Sequence, residues 1–279
     1  MELRALLDRA LGLADEGDWE RMAELLREHL AEHEAEAAVH CWLGVAEREL
    51  GMEGIAYERF RRALALEPDD PYVLATAGNG IASFDDPDAE RALRTAALTA
   101  PDVALTRLMY GAYLSREGFP ADGIRELEAA RGLDGDDAQI AYELGVARYL
   151  AGDADGAIGD MGDAVRLDPE DGWPRTVLGL VLLEADRFDE AVGELSEGAH
   201  LHPEDVEAQL AASLAACATG SDDLAYEMLE RARIRAEEAD AEEILAVEER
   251  VDAGPEAARS LLMEELAPDL LRRRLQVRP

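Results

Sequence analysis

The chain has 279 residues, 48% hydrophobic and only 5% aromatic, and its richness in Ala, Leu, Glu and Arg predicts an all-α fold with enough apolar material for a real core. Acidic residues outnumber basic ones 63 to 27, and the net charge of −36 repels phosphate backbones and anionic headgroups, which argues against nucleic acid and membranes as partners. Every basic residue is Arg, which fits a GC-rich genome as well as a salt-adapted proteome, and Cys41 and Cys217 form no C-x-x-C pair, so a reducing cytoplasm is expected rather than a zinc or disulfide framework.

The N-terminus, with Arg4, Asp8 and Asp15, lacks the uninterrupted apolar run of a signal peptide, and no stretch reaches the apolar length of a membrane span. Residues 3–36 pattern as a degenerate helical repeat: Gly17 and Leu26 are in register with the units beyond residue 37, but Met22 and His29 stand where small residues are expected. Within it, His29-Leu30-Ala31-Glu32-His33 matches the H-x-x-E-H pattern of inverzincin metalloproteases, with two imidazoles one helical turn apart. The motif lacks a third ligand and ends a repeat helix in an acidic stretch, so a metal-dependent hydrolase through His29, Glu32 and His33 is the distant alternative.

From residue 37 the chain repeats itself. A glycine column runs Gly44, Gly78, Gly111, Gly145 and Gly179, continued by Ser213, with a period of 34 residues and one step of 33. A second column of small residues runs Ala56, Ala89, Gly123, Ala157, Ala191 and Ala225, and proline ends the units at Pro68, Pro101, Pro169 and Pro203, with Gly135 in the missing place. The short step falls around Asp85-Asp86-Pro87, a turn. Each unit shows apolar residues at helical spacing, a turn, and a second helical pattern, so each is a helical hairpin whose small residues mark the crossing of its helices. Five full repeats span 37–69, 70–103, 104–137, 138–171 and 172–205; a sixth at 206–239 keeps Ala225, Leu229 and Ala232 but has Glu237 in the proline's place. Glu47 and Gly198 depart from the pattern.

After residue 239 the period ends but helical patterning persists. Ile244, Leu245 and Val251 are expected on one face of a capping helix, and Pro255 and Pro268 each suit the first turn of a short helix, near 255–266 and 268–275. The stripe Leu261, Leu262, Leu266, Leu270, Leu271 and Leu275 suits a cap, and Arg272, Arg273 and Arg274 then close a helix C-terminus; a basic docking tag is the other reading of these arginines.

The recurring small, large and small residues with a terminal proline resemble the tetratricopeptide repeat family, with Leu43, Gly44, Ala56, Phe60, Ala63 and Pro68 in its spacing and Leu144, Gly145, Ala157, Ala164 and Pro169 repeating it. The resemblance implies a right-handed superhelical solenoid of helix-turn-helix repeats with C-terminal capping helices, lined on its concave face by the first helix of each repeat. Opposite the glycine column lie Tyr72, Ala75 and Asn79; then Leu105, Leu108 and Ala112; then Tyr142, Val146 and Tyr149; then Trp173, Thr176, Leu180 and Leu183; then Leu210 and Leu214. Tyr142, Tyr149 and Trp173 are expected to form an exposed aromatic patch. Without Lys, and with Leu108 and Ala112 central, the carboxylate clamp known in the family is not expected, although Asn79, Arg48 and Arg116 are available. No catalytic arrangement, cofactor loop or metal site appears, so the expectation is a protein-binding scaffold for a protein or peptide segment, apolar with flanking basic residues. Structural self-assembly is the rival role.

Overall fold

Seven residues with left-handed backbone punctuate the chain at a nearly constant interval: Gly17, Gly51, Asp85, Gly118, Gly152, Asp186 and Gly220. Each step is 34 residues except the 33 from Asp85 to Gly118, so the one-residue deletion does fall in a turn. Five are glycine, which takes positive φ at no steric cost, and Asp is among the few side chains that tolerate it. In the computed structural model, which describes residues 1–278, each of the seven joins the two helices of a hairpin.

Unit 1 comprises residues 1–135 with Arg278. Its hairpins are α1 (Leu3–Asp15) with α2 (Trp19–His29), α3 (Ala37–Glu49) with α4 (Glu53–Ala65), α5 (Pro71–Ala82) with α6 (Asp88–Thr99), and α7 (Ala104–Arg116) with α8 (Pro120–Leu133). Unit 2 comprises residues 136–277. It holds α9 (Ala138–Leu150) with α10 (Ala154–Leu167), α11 (Gly172–Glu184) with α12 (Phe188–Leu201), and α13 (Val206–Ala218) with α14 (Asp222–Arg235). Beyond these hairpins lie α15 (Ala241–Ala253), α16 (Pro255–Leu261) and α17 (Ala267–Arg274). Among the described residues there is no strand, and no helix is long and apolar enough to cross a membrane.

Aspartates start the first helices of four repeats, α5, α9, α11 and α13. The carboxylates of Asp70, Asp137, Asp171 and Asp205 accept from the backbone N–H groups of Tyr72, Gln139, Trp173 and Ala208 at 2.8–3.0 Å, each cap contributing about 1 kcal/mol. The glycine column then sets the hairpin crossing. A Cβ on Gly44, Gly111, Gly145 or Gly179 would lie 2.6–2.9 Å from Phe60, Leu127, Met161 or Leu195 of the second helix, all fully buried. Close approach on one helix is thus matched by a large side chain on the other, and burying each contributes roughly 1.5–3 kcal/mol.

Both departures from the repeat pattern have a physical account. Glu47, 1% exposed, is clasped by Arg27 of α2 at 2.9 Å and Arg59 of α4 at 3.3 Å, so its charge is neutralised where a neutral residue is usual. The equivalent positions of the 138–171 repeat carry the same pair with signs exchanged, Arg148 on Asp160 at 2.6 Å. Gly198 lets α12 close on α11, for a Cβ there would meet the Thr176 hydroxyl at 2.5 Å and the Gly172 carbonyl at 3.0 Å.

The C-terminal segment differs from the expectation in path as well as in detail. α15 packs on α13 and α14 through Ile244, Val247 and Val251, while Leu245 points to solvent at 55% exposure instead of sharing that face. Gly254 comes next with φ 103° and ψ −177°, a conformation essentially restricted to glycine, and redirects the chain onto α13. The two short helices expected at 255–266 and 268–275 are one bent element: α16 runs through a π turn, Leu262–Leu266, into α17. Pro268 explains the turn, because it has no N–H for the preceding-turn carbonyl and its ring crowds that carbonyl, which a wider turn relieves. Leu261, Leu262, Leu266, Leu270, Leu271 and Leu275 are all buried in the unit 2 core.

Candidate protein-binding groove

The first helices of consecutive hairpins in unit 2 form a face on which α16 and α17 lie, α16 against α13 and α17 against α11. At its centre stands Trp173, placed by the Asp171 cap at the start of α11. Its indole N–H donates to the Tyr142 hydroxyl at 3.0 Å, which joins two neighbouring repeats. The Arg274 guanidinium lies over the Trp173 ring, 4.5 Å from its centroid, and donates to both carboxylate oxygens of Asp205 at 2.8 and 2.6 Å. Asp205 also caps α13, so one carboxylate starts a helix and binds the incoming cation. Arg274 is 3% exposed; a buried guanidinium is costly unless paired, and here Asp205 on Nη2 and the Trp173 face offset part of that cost, while Nε and Nη1 have no hydrogen-bond partner among the described residues. Arg273 pairs with Glu207 beside it.

Tyr149, one repeat earlier, donates its phenol to Glu184. Burial, then the Glu184 carboxylate, pushes the phenol well above its ordinary range, so it stays a donor. An open cavity of about 360 Å³ remains here, lined by Tyr149, Leu150, Glu184, Pro268, Arg272 and Leu275.

The aromatic patch is therefore assembled but not exposed. Tyr142 is 7% exposed, at a repeat position that is also buried at Ala75, Leu108, Thr176 and Leu210, while Tyr149 and Trp173 are half-buried, Trp173 beneath Arg274 of α17, a cover that sequence periodicity does not reveal. Val146 and Leu180 are fully buried in the core, as are Leu183, Leu210 and Leu214. Thr176 faces α12 rather than the groove, with its hydroxyl donating to the Gly172 carbonyl at 3.1 Å. In unit 1, Tyr72 is 46% exposed and Leu105 half-exposed, while Ala75, Asn79, Leu108 and Ala112 are buried. Arg274 and Asp205, which tie the groove to its occupant, lie 69 residues apart, and no spacing rule joins them. The arginine run was the available signal, and its destination was not.

The His29–His33 motif does not converge. α2 ends at His29, whose Nδ1 lies 3.0 Å from the Leu25 carbonyl, while His33 Nε2 lies 2.9 Å from the Met1 carbonyl and Glu32 pairs with the Met1 ammonium at 3.1 Å. The two rings thus turn to different backbone oxygens, and the carboxylate between them to a third group.

Repeated hairpins of near-constant length, crossing at small residues and offering their first helices as a common face, define a helical-repeat protein of the tetratricopeptide type. The tetratricopeptide repeat family model matches residues 148–214. The chain is similar to a chain of the APC/C hetero-tetramer Cut9-Hcn1, with a TM-score of 0.69 at 20% identity, covering 99% of this chain and 50% of that one. It therefore spans half the length of that relative. It is also similar to pilF of Pseudomonas aeruginosa, with a TM-score of 0.54 at 20% identity over 72% of this chain and 91% of that one. Both likenesses are of fold. No curated protein matches the chain.

Proposed function

We propose that this protein is a non-catalytic scaffold whose inner helix faces hold a segment of another protein, with Tyr72 and Leu105 open to it in unit 1 and Tyr142, Tyr149 and Trp173 forming its anchors in unit 2. One observation carries the reading: the unit 2 face already holds a helix by the means that recognise peptides elsewhere, aromatic area for apolar side chains and a cap carboxylate for a cation. The partner segment is accordingly apolar with flanking basic residues, complementary to a chain of net charge −36. Cys41 and Cys217 are free and buried, which suits a reducing compartment such as the cytoplasm.

The test is a photo-crosslinking amino acid placed singly at Tyr72 or Leu105 in the intact chain in its own cells, with Leu98 and Ile234, each 71% exposed on second helices, as controls. Discrete adducts from the inner positions alone are expected. Equal labelling from both faces, or none from the inner positions, would sink the scaffold reading.

A further inference from the structure

Three features of the C-terminal segment set it apart from the hairpins it lies on. It is attached through Gly254, a swivel no other residue type readily adopts. It is seated with room to spare: open cavities of about 360 and 290 Å³ run along it, the second lined by Glu243, Val247, Leu261, Glu265 and Asp269. At the glycine crossings of the hairpins, by contrast, there is no space for one added carbon. Its fastening is that of an amphipathic peptide ligand, one apolar face of Leu261, Leu262, Leu266, Leu270, Leu271 and Leu275 with the Arg274 clasp beside it.

We propose, building on the scaffold reading, that residues 255–277 are a built-in ligand of the unit 2 groove, and that an external amphipathic helix binds there by displacing them. Arg274 fixes the chemistry of that partner. The Trp173 face and Asp205 demand a guanidinium, which stacks and bonds in the same plane, and the groove on either side demands Leu-sized residues three and four positions before it and one position after it. Occupancy by the chain's own helix keeps this apolar surface from water and taxes every incoming ligand by the cost of vacating it.

The experiment uses the full chain. Hydrogen exchange in the wild type is expected to show residues 255–277 opening on their own, at least about tenfold faster than α11 and α13. A labelled synthetic peptide of residues 255–277 is then titrated into wild type and into the full-length variants Leu271→Asp and Arg274→Ala. Binding at least about tenfold tighter to the variants, whose own segment is loosened, is expected. The proposal is overturned if 255–277 exchanges in step with α11 and α13, a result that needs no variant to fold. It is also overturned if the loosened variants gain no affinity for the peptide, or answer instead by forming dimers, which would make a second copy the occupant. None of these outcomes touches the crosslinking result in unit 1, so the scaffold reading and the displacement mechanism fail separately.

Discussion

The two units are built from the same hairpin and treat their inner faces differently. In unit 1 the helices pack on their near neighbours in the chain, and Tyr72 stands 46% exposed on the first helix of its repeat. In unit 2 the equivalent faces of α11 and α13 carry a second layer, α16 and α17, and Trp173, which stands six residues before Gly179 as Tyr72 stands six before Gly78, is half-buried beneath Arg274. The hairpin interior is therefore the part of the fold that repeats, fixed by glycine against a large side chain. The inner face is free to vary, because nothing in the hairpin depends on what lies upon it. Function in such an array is read from the face that is allowed to differ.

Substitutions can break this comparison, and the largest effect belongs to the shared interior. Phe60 sits between Gly44 of α3 and Gly80 of α5, where an added Cβ would lie 2.9 and 2.3 Å from its ring. Phe60→Ala should cost about 3–5 kcal/mol in denaturant unfolding, because two backbones held apart by the ring cannot both close on the space. A loss below about 1 kcal/mol would mean that the crossing is not what holds the hairpins. Next comes the varied face. Trp173→Ala should cost about 2–3 kcal/mol, since it removes the platform under Arg274 and the bond to Tyr142, and the loss should appear as faster hydrogen exchange in α17 while α3 to α7 keep their protection. Tyr72→Ala in unit 1 should stay within about 0.5 kcal/mol. Equal losses from the two aromatic residues would erase the distinction between a covered and an open face.

The same division governs how much of the molecule was legible in the sequence. The hairpins, their period, the turn deletion and the packing role of the glycines are local, set by residues within one repeat length, and periodicity reads them directly. The left-handed turn column hid at two of its places, Asp85 and Asp186, because Asp fills the glycine role there. The groove was half legible: Tyr142, Tyr149 and Trp173 do gather on one face, but Thr176 turns to α12 because Gly198 admits it. The return of the chain at Gly254 decides whether the patch is open. It depends on contacts such as Arg274 with Asp205, 69 residues apart, for which no repeat supplies a template.

The smallest expected effect is on pH, and it runs in opposite directions in the two units. Glu243, on α15 beside the C-terminal segment, has its carboxyl raised, first by burial and then by the nearby Glu207, Asp240 and Asp269 charges, with Arg273 opposing. A raised acid binds its proton more tightly folded than unfolded, so the penalty is fully present above the folded value and is relieved as pH falls through it toward the ordinary Glu value of about 4.3. In unit 1, Asp86 is lowered, chiefly by the backbone N–H of Asp88 and then by the Tyr57 hydroxyl and the Arg61 charge, with burial opposing. Its contribution is present above the ordinary Asp value of about 3.9 and is lost only as pH falls below that toward the folded value. Acidification from about pH 7 to 5 should therefore raise the hydrogen-exchange protection factors of α15 to α17, taken relative to the intrinsic exchange rate at each pH, and leave the Tyr57–Asp86 tie intact, and partial neutralisation of the −36 charge acts in the same direction. Below about pH 4 the order reverses, and α4 and α6 should lose protection. Glu243→Gln should abolish the first response and Asp86→Asn the second. If α15 to α17 instead lose protection between pH 7 and 5 in the wild type, the carboxyl of Glu243 is paired rather than merely buried, and the segment is held more tightly than a displaceable ligand should be.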